Sequence, residues 1–147
     1  HTHLHNDHCE NSYKCTNARV IIQKAEYEFL LNPHPIDYRM FADLLEGLNI
    51  ELVNGDFKLM DGIDLYLTPG HTPGGQSVAV RTTKGLAVIP GFCCNSKNFP
   101  QSGPAVTPGV HTDAIAAYAS AQKVREMADI LIPIHDPAVG RKNRIPQ

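Results

Sequence analysis

The chain opens with residues 1–8, which read His1-Thr2-His3-Leu4-His5-Asn6-Asp7-His8. Side chains two positions apart on an extended chain project to the same side, so His3 and His5 can grip one metal ion. Asp7 and His8 follow at a predicted turn and can point to a second ion nearby. Imidazole nitrogen suits zinc, iron, nickel or cobalt, and a carboxylate adds negative charge. We therefore interpret this segment as most of a two-metal site rather than as a solvated polar loop.

Composition and charge are those of an ordinary globular protein. The 147 residues are 42% apolar and 19% charged, which predicts one domain over residues 1–147 with a single core. The formal charge is −2 and no basic run occurs, which argues against a nucleic-acid partner. No apolar stretch reaches the roughly 18 residues that span a bilayer, so no membrane partner is expected.

The cysteines leave three roles open. They are Cys9, Cys15, Cys93 and Cys94. Cys93 and Cys94 are adjacent and cannot easily bridge each other without strain. Free thiols, a structural disulfide and metal ligation are the alternatives, and we favour free thiols in a cytoplasmic protein.

The predicted elements mix strands and helices. Strands are predicted at 17–22, 50–53, 57–60, 63–67, 76–81, 86–90 and 130–134. Helices are predicted at 24–31 and from Thr112 or Asp113 to about Ala128, with a loop and short helix at 34–47 and long loops at 68–75 and 91–111. The order strand, helix, β meander, helix, strand favours a layered α/β (α+β) fold over an all-β sandwich. The basic tail 140–147 is expected to be frayed.

Two further histidines occur in settings that favour ligation. His71 lies in Pro69-Gly70-His71-Thr72-Pro73-Gly74, where glycine and proline fix the backbone and clear space around the imidazole. His135 follows the apolar run 130–134, and a histidine at the end of a buried strand points into the rim where α/β sites form. An ordinary surface histidine and a satisfied core histidine are the respective alternatives.

These motifs, in this order and at this spacing, resemble the successive ligand motifs of the metallo-β-lactamase superfamily. The resemblance covers nearly the whole chain. Within the superfamily, the chain is particularly similar to the N-acyl-homoserine-lactonase-like branch. It implies a four-layer αβ/βα sandwich with the metals at one edge, between the two sheets. The β hairpins that precede the first motif in typical members are missing here, so we expect that the natural protein begins upstream of His1.

The resemblance also implies a ligand set and a cofactor. The expected cofactor is two divalent ions, with zinc as first choice and iron, manganese, nickel or cobalt as alternatives. One ion would be bound by His3, His5 and His71, and the other by Asp7, His8 and His135. A water or hydroxide bridging the ions would become the nucleophile, and Asp7 would be catalytic, orienting it and carrying a proton.

One position departs from the superfamily pattern. The superfamily places a metal-bridging Asp after a Gly at the end of a strand, and here Phe92 stands at that position, in Gly91-Phe92-Cys93-Cys94. Cys93 is the first candidate for a replacement ligand, and Cys94 is the second. The remaining alternative is an empty position and a weaker or mononuclear site.

The function that the resemblance implies is metal-dependent hydrolysis of an ester-like bond. The first expectation is opening of an N-acyl homoserine lactone by a metal-bound hydroxide. A thioesterase similar to glyoxalase II is one alternative, and a non-catalytic metal-binding or redox-sensing module is another. The expected partner is a small ester, lactone or thioester, and a homodimer is left open.

Overall fold

The computed structural model describes residues 1–141 and 144–145. Residues 142–143 and 146–147, in the tail that we expected to be frayed, lie outside the described residues. The described helices are α1 (Asn6–Cys9), α2 (Lys24–Leu31) and α3 (Ala114–Met127), with 3₁₀ turns at Ser12–Lys14, Ala42–Leu45 and Ser96–Asn98. The described strands are β1 (Arg19–Gln23), β2 (Asn49–Val53), β3 (Phe57–Met60), β4 (Ile63–Leu67), β5 (Gln76–Thr82), β6 (Gly85–Ile89) and β7 (Ile130–Leu131).

The described strands form two sheets. β1 and β2 pair in parallel as a two-stranded sheet. The larger sheet has the order β3-β4-β5-β6-β7, antiparallel from β3 to β6 and parallel between β6 and β7. The β meander and the mixed order of elements predicted from the sequence are therefore confirmed.

Alternating side chains of β1 divide the core between two layers. Val20 and Ile22 pack with Leu30 of α2, while Ile21 faces the other way and packs with Leu65 of the larger sheet. This is the period of two that a strand imposes. Each such side chain stabilises the fold by roughly 1.5–3 kcal/mol when fully buried.

The far face of the larger sheet is covered by α3. Ala79 and Val88, from β5 and β6, share a buried cluster with Ala121 and Val124 of α3. The layers therefore run α2, small sheet, large sheet, α3, which is the four-layer sandwich that the resemblance implied.

Asp113 fixes the start of α3. Its carboxylate accepts hydrogen bonds from Ile115 N at 2.9 Å and Ala116 N at 3.0 Å. A cap of this kind stabilises a helix by about 1 kcal/mol. Among the described residues, no helix is long and apolar enough to cross a membrane.

Two sequence predictions were wrong in detail. The strand predicted at 130–134 ends at Leu131, because Ile132 makes one more backbone bond to Val88 and Pro133 has no N–H to continue the ladder. His135 is therefore presented by a turn instead of by a strand end. Asp7 lies in the one-turn helix α1 and not in a simple turn.

Candidate metal centre

Three buried imidazoles surround one point where the opening segment meets the 68–75 loop. His3, His5 and His71 are each 1% exposed. Their ring centroids are 4.7–4.8 Å apart in every pairing, and the rings are nearly perpendicular, at 86–87°. Each ring offers one nitrogen to the same small space, with the three ligand atoms within 4.8 Å of one another. We call these residues the buried triad.

The 68–75 loop is held between the two outer helices. A Cβ on Gly70 would overlap the backbone of Ala117 in α3, and Gly70 has a positive φ of 118°. A Cβ on Gly74 would overlap the backbone of Glu26 in α2. Both positions need glycine, because the loop backbone touches a helix on each side. This contact fixes where His71 stands.

The opening segment is held by backbone pairing. His5 forms an isolated antiparallel bridge with Met40, and Asn6 N donates to Arg39 O at 2.9 Å. Leu4, between His3 and His5, is fully buried in the core beside α2. The apolar side chain therefore turns into the core, and His3 and His5 turn towards His71.

Hydrogen bonds determine which nitrogen of each ring is free to bind an ion. His71 Nδ1 lies 2.7 Å from Val110 O, a carbonyl that can only accept, so Nδ1 carries the proton and Nε2 carries the lone pair. His5 Nε2 donates to Asp37 Oδ2 at 2.7 Å, which leaves Nδ1 free. Metal-ligating histidines generally make this kind of outer contact, which fixes the tautomer and the ring orientation.

Two of the three rings carry a buried nitrogen that no other group satisfies. His3 Nε2 and His71 Nε2 have no hydrogen-bond partner in the described part of the chain. Leaving such an atom buried and unpaired costs about 1–3 kcal/mol. A divalent cation bound among the three rings would satisfy both atoms, so the buried triad fits a metal ion.

Burial keeps these imidazoles neutral. It lowers the pKa of His71 to about 4 and lowers the pKa of His3 and of His5 below the ordinary histidine value. Burial opposes ionisation of Asp37, but the hydrogen bond from His5 and the charge of Arg39 hold the pKa of its carboxyl below its usual range. The triad therefore presents lone pairs at neutral pH, as a metal ion requires.

A second group of potential ligands lies beside the triad and is more exposed. Asp7 Oδ2 lies 3.3 Å from His8 Nε2 and 3.7 Å from His135 Nε2, and the two Nε2 atoms are 3.1 Å apart. The Asp7 and His135 side chains are 51% and 35% exposed. The ring centroid of His8 lies 4.0 Å from that of His3, with the rings tilted by 42°, so the two groups are contiguous. We call Asp7, His8 and His135 the exposed triad.

The residues around the departure from the superfamily pattern face different ways. Phe92 is 1% exposed and packs in the core under α3, with its ring 6.3 Å from that of Phe99, so it supplies no ligand. Cys93 is partly buried and belongs to neither triad among the described residues, and burial followed by the charge of Asp7 raises the pKa of its thiol. Cys94 is buried, with its thiol pKa raised to about 12. All four cysteines are free.

Sequence reasoning missed two carboxylates beside the buried triad. Asp37 lies 32 positions from His5, in a segment predicted only as a loop with a short helix, and no spacing signal connects them. Glu26 is 1% exposed in α2. Its four-residue spacing to the buried Leu30 places it on the apolar face of the helix, and this pattern could have identified it.

Comparison with known proteins gives the same fold. The N-acyl homoserine lactonase AiiA of Bacillus thuringiensis subsp. kurstaki is 38% identical over 88 residues, which is 60% of this chain and 34% of that protein. The lactonase AttM of Azorhizobium caulinodans is 27% identical over 158 residues, covering 92% of this chain and 56% of that protein. A solved N-acyl homoserine lactone hydrolase, with N-hexanoyl-L-homoserine at its catalytic metal centre, matches 99% of this chain and 58% of its own at a TM-score of 0.75 and 26% identity.

The chain has the metallo-β-lactamase fold and is similar in sequence to N-acyl homoserine lactonases. No family model matches it. This fold accounts for the order of the layers in the described residues. The chain spans just over half the length of the solved lactonase and of AttM, so the matches concern this portion of the fold.

Proposed function

We propose that the protein is a metal-dependent hydrolase that opens lactone rings, with N-acyl homoserine lactones as the first candidate substrates. The observation that carries this proposal is the buried triad, in which two imidazole nitrogens have no partner among the described residues. A second group of potential ligands, accessible to water, lies beside it. The relatives named as N-acyl homoserine lactonases support the choice of a lactone.

Each triad would hold one divalent cation, for which we propose zinc. When bound, such a pair of cations supplies Lewis acidity towards a carbonyl oxygen and lowers the pKa of a water molecule towards neutrality. The Asp7 side chain is 51% exposed, so its carboxylate is accessible to water and would be accessible to a substrate. It orients the attacking water, takes the proton released as the new C–O bond forms, and returns it to the ring oxygen as the ester bond breaks.

The other residues keep the ligands in the form that binds a cation. Asp37 holds the proton of His5 at Nε2, and the Val110 carbonyl holds the proton of His71 at Nδ1. Burial around the triad excludes water, so the ligand nitrogens do not exchange partners with solvent. The partly buried thiol of Cys93 is proposed as an additional ligand.

The test is ring opening of N-hexanoyl-L-homoserine lactone by the full-length protein, zinc-loaded and after chelation. We expect turnover only in the loaded form, and loss of turnover in His3→Ala. His34→Ala is the matched control, because His34 is an exposed histidine outside both triads. Full activity in His3→Ala would contradict the proposal, and turnover of S-lactoylglutathione instead of the lactone would identify a thioesterase.

A second candidate is a metal-binding or redox-sensing module without turnover. Phe92 in the core and the half-buried Cys93 thiol are the observations that favour it. It predicts tight zinc binding that changes on thiol oxidation, with no hydrolysis across a panel of esters, lactones and thioesters. The cytoplasmic location and a homodimer stay predictions.

A further inference from the structure

Glu26 is a buried carboxylate that the proposed chemistry does not use. It lies in the first turn of α2 and is 1% exposed. Burying a carboxylate is costly unless both oxygens are hydrogen-bonded, so a residue kept in this place needs partners. Its partners are in the two segments that carry the buried triad.

Each Glu26 oxygen accepts one backbone hydrogen bond. Leu4 N donates to Oε1 at 2.9 Å, and Gly74 N donates to Oε2 at 2.9 Å. Leu4 lies between His3 and His5, and Gly74 lies three residues after His71. One side chain therefore connects the segment with two ligands of the triad to the loop with the third.

The neighbouring contacts leave little freedom in this connection. The 68–75 loop backbone touches the Glu26 backbone at Gly74, where a Cβ would not fit. Gln76, directly after the loop, also bonds the opening segment, but its bonds from N to Thr2 O and from Nε2 to His1 O lie before the first ligand. Glu26 is therefore the side chain that holds the backbone between His3 and His5, through its hydrogen bond from Leu4 N.

We propose that Glu26 is a positioning residue for the buried triad, setting the spacing of His3, His5 and His71 by clamping Leu4 N and Gly74 N. This deepens the proposed function and rests on its metal centre. A carboxylate suits the position because both of its oxygens accept. A glutamine offers one oxygen and one NH₂ group, so one of the two N–H groups would lose its acceptor.

The experiment compares first-ion zinc affinity with stability in full-length variants. Zinc affinity is measured by chelator competition, and stability by thermal unfolding of the metal-free protein. We expect E26Q to lose about 10–100-fold in zinc affinity, the range typical for residues that orient metal ligands. E28Q is the matched control on the same helix, because Glu28 is exposed, and it should keep wild-type affinity.

A second control separates positioning from general loss of packing. V124A weakens the core under α3 and should lower the unfolding temperature while leaving zinc affinity unchanged. E26D keeps the charge but is one methylene shorter and reaches only one N–H, so its affinity should fall between E26Q and wild type. This variant also decides the matter if metal-free E26Q does not fold.

Two results would overturn the inference. One is E26Q or E26D with wild-type zinc affinity, and the other is an affinity loss no larger than that of V124A. A crystal structure of E26Q should show the His3–His71 ring spacing changed from 4.7 Å. Because the readout is zinc binding, absence of lactone turnover would count against the proposed function and not against the role of Glu26.

Discussion

The two triads of the centre are built in different ways. In the buried triad each ring is fully enclosed, and His5 and His71 have their second nitrogen anchored by Asp37 and Val110. In the exposed triad the ligand atoms contact one another, with His8 Nε2 and His135 Nε2 at 3.1 Å, and water reaches Asp7. The buried triad is thus shaped by the fold, whereas the exposed triad is held by contacts among its own members.

This difference predicts an order of binding. A ligand set that is already oriented and neutral loses little conformational freedom when an ion enters, which raises affinity. The buried triad has both properties, and within the described part of the chain two of its nitrogens have no partner. We therefore expect the first zinc ion to enter the buried triad and the second, more weakly, the exposed triad.

The largest effect is expected from Phe92→Asp. Phe92 is buried under α3, and replacing it removes a core ring and buries an unpaired charge, so the free energy of unfolding should fall by about 3–5 kcal/mol or more. Urea unfolding measures this, with Val106→Asp as an exposed control. Unchanged stability with a tighter second zinc ion would mean that position 92 reaches the exposed triad.

The next effect is expected from His71→Ala. Loss of a ligand should cost more than the 10–100-fold typical of an outer contact, so first-ion zinc affinity should fall by more than about 100-fold. The same variant should strongly reduce the stabilisation that zinc gives against heat. His111→Ala is the control, because His111 is exposed and its ring bonds Pro108 O in its own loop. Equal losses in both variants would remove His71 from the ligand set.

A smaller effect is expected from Asp37→Asn. The amide is neutral and holds the His5 proton less firmly, so the affinity for the first zinc ion should fall by about 10-fold. The affinity for the second ion should change little. Asp43→Asn, on the 3₁₀ turn Ala42–Leu45, is the control for loss of one charge nearby. Affinity unchanged in Asp37→Asn would show that the buried triad needs no outer anchor.

The sequence predicted the parts of the centre that lie within short motifs. Residues two apart on an extended strand share a side, which is why His3 and His5 could be paired before the fold was known. Asp37 and Glu26 could not be paired with them, because their contacts join segments 32 and 22 positions apart. The four layers followed from the resemblance, and the early end of β7 was missed because Pro133 outweighs the apolar run around it.

The smallest effect on the affinity for the first zinc ion is expected from His135→Ala. The variant should bind one zinc ion instead of two, while the affinity for the first ion changes by less than about threefold, since His135 lies outside the buried triad. Equilibrium dialysis with elemental analysis gives the count. Loss of both ions together would show that the triads form one cooperative site.

Anomalous diffraction from crystals loaded with one equivalent of zinc tests the order of binding most directly. We predict one peak within about 2.0–2.1 Å of His3 Nε2, His5 Nδ1 and His71 Nε2, with a second peak at Asp7, His8 and His135 appearing only at higher zinc. First occupancy of the exposed triad, or no peak among the three buried rings, would contradict the account.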